Sequence, residues 1–339
     1  MKEEYKYTNY FAKDRIILGE KAPLDWPLAI YVEPSGFCNL KCKFCTQSLQ
    51  GPRAMNKKNM ELSLFKKLID ELDAEQVHIP MMRFAGMGEP TLNPNYVEML
   101  NYAYKLKLQR GGRFQMATNG TLLTHELSEE ITKYLDSIIL SVEGLSGEDY
   151  LKICSVEVDF DKLLDEVRFL YGHKRKCEII VKIPSIMVKE REREEKYYQI
   201  FKGFADKVNV EQISDMWPDF QSDLIDINSK KFRFSLDGYD WGSSIPHSIC
   251  PQIFKAIQIY ANGDCTPCCF DWERKHNIGN LYGQSLKEIW HGEKLKRIQK
   301  LHLNYLKETF EPCKNCSAND FAEVDRLENY RSEILERMG

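Results

Sequence analysis

The chain has 339 residues, of which 43% are apolar and 29% are charged, a composition that allows a full hydrophobic core and excludes disordered and fibrous proteins. The chain has 47 Lys and Arg and 51 Asp and Glu, for a net charge of −4. It therefore lacks the excess of basic residues that would favour a nucleic acid partner. No apolar stretch approaches the ~18 residues of a membrane span, and residues 1–15 lack the apolar core of a signal peptide. We expect a cytoplasmic protein with neither membrane nor nucleic acid as partner.

Residues 29–213 alternate short apolar runs with stretches of helical periodicity, a pattern typical of βα units around a parallel sheet. The predicted strands are Ala29–Glu33, Met81–Ala85, Phe114–Ala117, Ser137–Val142, Glu178–Ile183 and Val208–Ile213. The predicted helices cover Leu64–Leu72, Tyr96–Leu106, Leu127–Leu135, Phe160–Tyr171, with Asp159 as its N-cap, and Tyr197–Phe204. The fold class is therefore α/β, a partial (β/α)6 TIM-type barrel, in which loops at the C-terminal ends of the strands carry the chemistry.

Residues 214–249 show no steady period and are interpreted as a linker or active-site insertion, where Trp217 and Trp241 are expected to shape a substrate pocket. Next, Lys255–Tyr260 and Asp264–Cys268 predict a hairpin with a type I′ turn at Asn262-Gly263. Ser285 and Glu288 predict a capping box that opens an amphipathic helix to about Leu303. The predicted segments are residues 1–28, 29–213 (barrel), 214–249 (linker), 250–317 (cysteine-rich domain) and 318–339 (charged terminal helix).

Eleven cysteines suggest metal binding or catalysis, because disulfides are rare in the cytosol. Nine of them fall in three clusters, namely Cys38/Cys42/Cys45, Cys250 with Cys265/Cys268/Cys269, and Cys313/Cys316. The two isolated ones, Cys154 and Cys177, are interpreted as small buried apolar residues.

The first cluster, Cys38, Cys42 and Cys45, directly follows the first predicted strand. Three thiolates on one short loop can hold three corners of an iron–sulfur cube. Since a structural site normally has four ligands, the open fourth position indicates chemistry at a free iron. This CxxxCxxC loop after strand one of a partial barrel resembles the signature of the radical S-adenosylmethionine (SAM) superfamily.

Further motifs follow the next three strands, where the resemblance implies contacts with SAM. They are Gly86-Met87-Gly88-Glu89-Pro90, which resembles the family's GGEP segment with one glycine displaced, Thr118-Asn119-Gly120, and Ser141-Val142-Glu143-Gly144. Each motif alone is also typical of an ordinary turn or strand end, but together they follow consecutive strands. The implied cofactor-binding residues are Phe44, Gly86, Gly88, Glu89, Pro90, Thr118, Asn119, Ser141 and Glu143.

The second group of cysteines allows two interpretations. Cys265/Cys268 and Cys313/Cys316 form a CxxC…CxxC pattern typical of structural zinc, although the 44 intervening residues exceed the ~15–20 of zinc ribbons. The other set is Cys250, Cys268, Cys313 and Cys316, whose spacing resembles the SPASM and twitch extensions of radical SAM enzymes. No cysteine follows Cys316, so the shorter twitch type is implied, with one auxiliary [4Fe–4S] cluster closed by four cysteines. Cys265 and Cys269 would then pack in the hairpin or donate a hydrogen atom.

The resemblance implies that the first [4Fe–4S] cluster cleaves SAM to a 5′-deoxyadenosyl radical, which abstracts a hydrogen atom from substrate. A fully ligated auxiliary cluster cannot bind substrate, so it is expected to accept an electron as an alcohol becomes a carbonyl. The substrate class is a sugar, nucleotide sugar or aminocyclitol, and a flavodoxin- or ferredoxin-type protein would supply electrons. Lys182 and Glu211, which end strands five and six, are the candidate catalytic bases, or else they line the barrel or contact SAM.

Three alternatives remain open at this point. A peptide-modifying enzyme is the first, since many SPASM relatives mature ribosomal peptides. A redox-neutral carbohydrate epimerase or lyase is the second, and a non-catalytic iron–sulfur or zinc protein is the third.

Overall fold

The computed structural model describes residues 16–46, 58–211, 222, 224, 235–236, 239–240, 248–316 and 325–339. Six parallel strands, β1 to β6, lie side by side in chain order, which confirms the predicted α/β barrel architecture. Their bounds are Ala29–Val32, Met81–Phe84, Arg113–Thr118, Ser137–Ser141, Glu178–Pro184 and Lys207–Glu211. The predicted strands agree within two residues, except that the last two residues of the sixth, 212–213, lie outside the described residues.

Helices α1 to α7 are Leu18–Lys21, Leu62–Ala74, Tyr96–Arg110, His125–Ile131, Gly147–Cys154, Phe160–His173 and Arg191–Phe201. The predicted N-cap of α6 is confirmed, because the Asp159 side chain accepts a hydrogen bond from Lys162 N–H. Helix α7 begins six residues before its predicted start because its first turns are charged and carry no apolar period. Helix α5 was not predicted, since two turns are too short for a periodic signal.

Alternating side chains divide each strand between the helices and the barrel interior. On the helix side, the buried ring of Phe84 lies 6.1 Å from Phe65, 5.9 Å from Tyr96 and 5.7 Å from Phe114, measured between ring centroids. The interior side mixes polar and apolar residues, since Tyr31 and Arg83 pair in register at β1 and β2 whereas Ile139 and Ile180 pair at β4 and β5. The larger apolar core lies between the strands and the helices.

A C-terminal hairpin extends this sheet on its β1 side. Strand β9 (Ala256–Ile259) pairs parallel with β1, followed by antiparallel β10 (Asp264–Thr266) and β11 (Gly279–Asn280). The hairpin was predicted, but its place in a nine-stranded sheet was not. Outside this sheet, β7 (Ser235–Leu236) and β8 (Tyr239–Asp240) pair with each other. The remaining helices, α8 to α11, are Gln252–Lys255, Leu286–Trp290, Glu293–Leu303 and Arg331–Met338.

Three details of this region differ from the sequence-based predictions. The hairpin turn is not type I′, because φ is positive at Gly263 (83°) but not at Asn262. Gly263 N–H donates to Tyr260 O, and Tyr260 N–H donates to Asp264 O, so the loop has three residues. The predicted helix to Leu303 is split into α9 and α10, although its capping box is confirmed. The terminal helix α11 begins only at Arg331, and residues 317–324 lie outside the described part of the chain.

None of the helices in the described residues has both the length and the apolar character needed to cross a bilayer.

Candidate cofactor sites

The loop that carries Cys38, Cys42 and Cys45 lies at the C-terminal end of β1 and is held by the end of α5. Lys41 N–H donates to Cys154 O and Lys43 N–H donates to Ile153 O, both at 3.0 Å. The last carbonyls of a helix have no partner within the helix, so these two bonds satisfy both the helix end and the loop. The backbone around the predicted cluster ligands is therefore positioned by a helix that the sequence did not reveal.

The loop after β2 lies directly against this cysteine loop, and its glycines allow the close approach. A Cβ atom on Gly88 would lie 2.1 Å from Ser35 O and 2.5 Å from Phe37 O. A Cβ atom on Gly86 would lie 2.5 Å from Cγ of Glu33. The neighbouring Glu89 N–H donates to Phe37 O at 2.7 Å. A side chain is therefore excluded at position 88 by the neighbouring backbone and at position 86 by the buried Glu33 side chain.

Glu89 connects the loops after β2 and β3. Its side chain is buried, and Oε1 accepts hydrogen bonds from Thr118 Oγ1 at 2.7 Å, Thr91 Oγ1 at 2.7 Å and Thr91 N–H at 3.1 Å. The other oxygen, Oε2, accepts from Asn119 N–H at 2.8 Å. Pro90 begins the short 3₁₀ helix Pro90–Leu92 that follows. Both Glu89 oxygens thus hold protein groups, so the carboxylate organises the loops around the predicted SAM site.

Asn119 extends this network to the first cysteine. Its Nδ2 group donates to Asn39 Oδ1 at 2.9 Å and lies 3.9 Å from Cys38 Sγ. Asn39 in turn donates to Thr121 Oγ1 at 2.7 Å. The structure therefore brings the motif after β3 to the cysteine loop.

Glu143, at the end of β4, is the electrostatically unusual residue of this site. Its side chain is only 7% exposed, and Oε2 has no hydrogen-bond partner among the described residues. Burial raises the pKa of Glu143 to about 7. The positive charge of Lys182 lowers this pKa, and the negative charge of Glu211 raises it. The pKa of Cys38 is raised mainly by burial, and the pKa of Cys42 mainly by its contact with Cys154. The charge of Glu143 raises both values further. These side chains therefore share one electrostatic environment.

The two predicted bases lie next to each other at the ends of β5 and β6. Lys182 Nζ is 2.5 Å from Glu211 Oε2, in a partly exposed ion pair. Ser141 pairs in register with Lys182, so the end of β4 adjoins this pair. Phe44 is half-buried and packs against the apolar core. The structure thus brings the ends of β4, β5 and β6 together on one side of the cysteine loop.

The residues at this end of the barrel fit an iron–sulfur cluster with SAM. Thiolates are the ligands such a cluster requires, and three of them follow β1. The buried Glu143 Oε2 needs a donor that the described protein does not provide, and SAM carries cationic and hydroxyl groups. No group of three or more His, Cys, Asp or Glu side chains within the described ranges is placed to hold a metal ion as the side chains stand. The assignment therefore rests on donor chemistry, spacing and the unpartnered carboxylate.

A second set of thiols meets at the C-terminal domain. The pKa of Cys268 is raised by the Cys269 contact and burial, and also by the charges of Cys250 and Cys316. The pKa of Cys313 is raised by burial and by the charges of Cys250 and Cys316. Cys268 and Cys313 are thus each near enough to Cys250 and Cys316 for their charges to interact, although the four thiols do not form a metal-holding group as they stand in the described residues.

Cys265 lies apart from this set. Its thiol is fully buried in the apolar core and is 3.5 Å from Gly263 O, and its pKa is raised by burial and by Asp264. The placement disfavours the zinc interpretation, which needs Cys265 beside Cys268. The structure also places Cys154 and Cys177 in the buried core, as predicted.

His302 supports the backbone of the second set. Cys250 N–H donates to His302 Nδ1 at 3.3 Å, and burial lowers the pKa of His302 to about 4. A neutral imidazole can accept this bond on Nδ1, whereas an imidazolium cannot. Phe270 N–H lies 3.4 Å from Cys268 Sγ and adds a donor to that thiol.

Glu33 is a site residue that the sequence analysis missed. It is fully buried, and its carboxylate accepts hydrogen bonds from Met87 N–H at 2.8 Å and Ala261 N–H at 3.2 Å. It therefore joins the loop after β2 to the C-terminal hairpin. The available signal was an acidic residue at the end of an apolar strand, immediately before the cysteine loop. The predicted pocket residues Trp217 and Trp241 lie outside the described residues.

Comparison with known families agrees with both sites. Residues 32–196 match the Radical SAM superfamily, and residues 250–317 match the SPASM iron–sulfur cluster-binding domain. The chain contains a radical SAM domain followed by a SPASM/twitch domain. Its cofactors are therefore SAM, a [4Fe–4S] cluster in the first domain and an iron–sulfur cluster in the second.

Among curated relatives, the tungsten-containing aldehyde ferredoxin oxidoreductase cofactor-modifying protein of Pyrococcus furiosus is 25% identical over 86% of this radical SAM chain and 87% of its own. Mycofactocin maturase of Mycobacterium tuberculosis is 32% identical, but the match spans only 40% of this chain and 32% of the maturase.

Solved structures share the fold of this radical SAM protein at low sequence identity. BtrN, the 2-deoxy-scyllo-inosamine dehydrogenase, in complex with AdoMet and 2-DOIA, has a TM-score of 0.56 and 19% identity, covering 90% of this chain and 98% of BtrN. Histidine-tagged anSMEcpe with bound AdoMet has a TM-score of 0.62 and 18% identity, covering 92% of both chains. The resemblance to radical SAM enzymes with a SPASM or twitch extension, which the cysteine spacing indicates, is thus confirmed for the fold.

Gly88→Ala tests the close packing of the two loops. The new methyl group would meet Ser35 O, so we expect a loss of about 1–3 kcal/mol in stability and weaker SAM binding. Gly172→Ala is the matched control, since no atom lies within 4 Å of its Cβ position in α6. Thermal unfolding and SAM titration would measure both effects, and equal behaviour of the two variants would contradict the packing argument.

Glu143→Gln tests the raised carboxyl pKa. Between pH 4.5 and about 7 the unfolded chain ionises this group while the folded chain keeps it protonated, so stability falls as pH rises through that range. The glutamine variant lacks this loss. Its free energy of unfolding should therefore exceed that of the native protein by about 3 kcal/mol above pH 7 and equal it near pH 4. Urea unfolding of cluster-free protein at several pH values checks this. Glu148→Gln, at an exposed position of α5, should show no such difference.

Cys250→Ala tests the ligand set of the C-terminal domain. Removing one of four ligands should cost the second cluster, so the protein should lose about half its iron and still bind SAM. Cys265→Ala should retain the full iron content, because that thiol lies in the apolar core. Iron analysis of the two anaerobically purified variants decides between the ligand sets. Loss of iron in Cys265→Ala but not in Cys250→Ala would support the ligand set that contains Cys265.

Proposed function

We propose that this radical SAM enzyme oxidises an alcohol of a small polar substrate, such as a sugar, nucleotide sugar or aminocyclitol, to a carbonyl. The observation that carries the proposal is the match of residues 250–317 to an iron–sulfur cluster-binding domain, within which the charges of Cys250 and Cys316 act on Cys268 and Cys313. Four protein ligands leave no iron for substrate, so such a cluster is suited to accept an electron. An auxiliary cluster that bound the substrate would instead need one iron without a protein ligand.

The overall change removes two hydrogens from the substrate. When bound, the first cluster and SAM supply a radical that removes the hydrogen atom of the carbinol C–H bond. The hydroxyl proton must then leave to a base, and the remaining electron must leave to an acceptor. The protein therefore has to provide a base near one cofactor site and a path towards the other.

Glu143, Lys182 and Glu211 form the acid–base group of the proposed mechanism. Without a cofactor, burial raises the pKa of Glu143 to about 7, and a cationic group of bound SAM beside it would favour the ionised carboxylate that can accept a proton. The Lys182–Glu211 ion pair adjoins it and can hold the substrate hydroxyl or accept its proton. We propose that the base belongs to this group, with Lys182 and Glu211 contacting the substrate.

Polar pairs fill the end of the barrel that lies away from the cysteine loop. Gln115 Nε2 donates to Ser137 Oγ at 3.0 Å, and Lys207 Nζ lies 2.8 Å from Glu178 Oε1. Ser137, Glu178 and Lys207 begin β4, β5 and β6, so these pairs close the N-terminal end of the barrel and leave the opposite end for the proposed substrate.

The interior also adjoins the auxiliary site. Burial raises the pKa of Tyr31 on β1, and the charge of Cys269 raises it further, so the two side chains interact. Cys269 directly follows Cys268 in the chain and contacts its thiol. An interior residue of β1 is thus within electrostatic range of the residue next to Cys268, which supports the oxidation proposal. A flavodoxin- or ferredoxin-type donor and a cytoplasmic location complete the proposal.

Modification of a larger molecule is the second candidate. The relative that covers most of the chain is named as a cofactor-modifying protein, and another as a mycofactocin maturase. A peptide or cofactor would then occupy the same barrel opening, and the auxiliary cluster could keep the same redox role.

The deciding experiment uses substrates deuterated at the carbinol carbon. A sugar nucleotide, an aminocyclitol and a candidate precursor peptide would each be incubated with the anaerobic enzyme, SAM and a strong reductant. We expect deuterium in 5′-deoxyadenosine and a carbonyl product for one of the small molecules. Label transfer from the peptide alone would support the second candidate, and label transfer without a carbonyl would indicate epimerisation or elimination.

A further inference from the structure

Cys154 is a buried cysteine that the proposed reaction leaves without a role. It is the last residue of α5, and its side chain is fully buried. Its sulfur lies 3.4 Å from Sγ of Cys42, the second cysteine of the cluster-binding loop. By contrast, Cys177 is buried in the same apolar core, and its sulfur lies 4.0 Å from the Glu178 carbonyl oxygen.

The contact between Cys42 and Cys154 is built into the fold by the surrounding backbone. Cys154 O and Ile153 O accept hydrogen bonds from Lys41 N–H and Lys43 N–H, the residues on either side of Cys42. Helix α5 therefore accepts hydrogen bonds from the loop on both sides of Cys42. Ser155, in the left-handed conformation, ends the helix at this point and turns the chain away.

We propose that the Cys154 thiol donates a hydrogen bond to the Cys42 thiolate when Cys42 ligates the cluster, and so raises the reduction potential of that cluster. A ligating thiolate carries no proton, which leaves Cys154 as the donor of the pair. Hydrogen bonds to cluster sulfurs stabilise the more negative, reduced state and are one of the means by which proteins set the potential. Cys154 is thus a positioning residue, and this role does not depend on which substrate is oxidised.

An EPR-monitored redox titration of the holoenzyme tests the proposal. The signal of the first cluster is recognised by its change on addition of SAM, which separates it from the auxiliary cluster. In Cys154→Ala the midpoint potential of this signal should shift to a more negative value. Cys154→Ser keeps a hydroxyl donor at the same position and should retain the native potential or raise it.

Cys177→Ala is the matched control, because it removes another fully buried thiol from the core without touching the cluster loop. It should leave the midpoint potential unchanged. An unchanged potential in Cys154→Ala, or an equal negative shift in the serine variant, would overturn the proposal.

A second measurement keeps the proposal testable if Cys154→Ala fails to hold the cluster. In cluster-free protein, oxidised glutathione should convert the two thiols to a Cys42–Cys154 disulfide with release of two molecules of reduced glutathione. Peptide mapping by mass spectrometry would identify the linked pair. Linkage of Cys42 to Cys38 or Cys45 in preference to Cys154 would show that the contact does not exist, and would overturn the proposal.

Discussion

The buried carboxylate of Glu33 is the constraint on which the arrangement of both cofactor sites depends. A carboxylate without water is costly unless it is hydrogen-bonded, and here two backbone N–H groups and the nearby Arg274 stabilise it. Those N–H groups belong to Met87, in the loop after β2, and to Ala261, in the hairpin turn. One side chain thus fixes the loop after β2 and the C-terminal domain to the strand that leads into the cysteine loop.

The parallel pairing of β9 with β1 has a related consequence for function. It makes the C-terminal domain a continuation of the barrel sheet, in which the cysteine loop follows β1 and Cys268 follows β10, with β9 between these two strands. Burial raises the pKa of Tyr31 on β1, and the charge of Cys269, next to Cys268, raises it further. The two domains are therefore joined through one sheet rather than through a separate interface.

Much of the fold, and the position of the three-cysteine loop within it, could be predicted because the signals are local. The six strands follow from apolar runs, the capping box at Ser285 from two residues, and the three-cysteine loop from its spacing. The type I′ turn was wrong because Asn262 keeps a negative φ, which the Asn-Gly dipeptide does not decide. Helix α5 escaped prediction because its two turns are stabilised by tertiary contacts with the cysteine loop.

The sequence by itself determined the (β/α)6 architecture and the place of the three-cysteine loop after β1, since these depend on periodicity and spacing along the chain. Only the tertiary structure decided what the individual side chains do. Glu89, predicted as a ligand contact, has both its oxygens hydrogen-bonded within the protein, whereas Glu143 keeps a buried oxygen without a partner among the described residues. The physical reason is that burial, hydrogen-bond partners and electrostatic neighbours come from residues distant in sequence, so no local pattern encodes them.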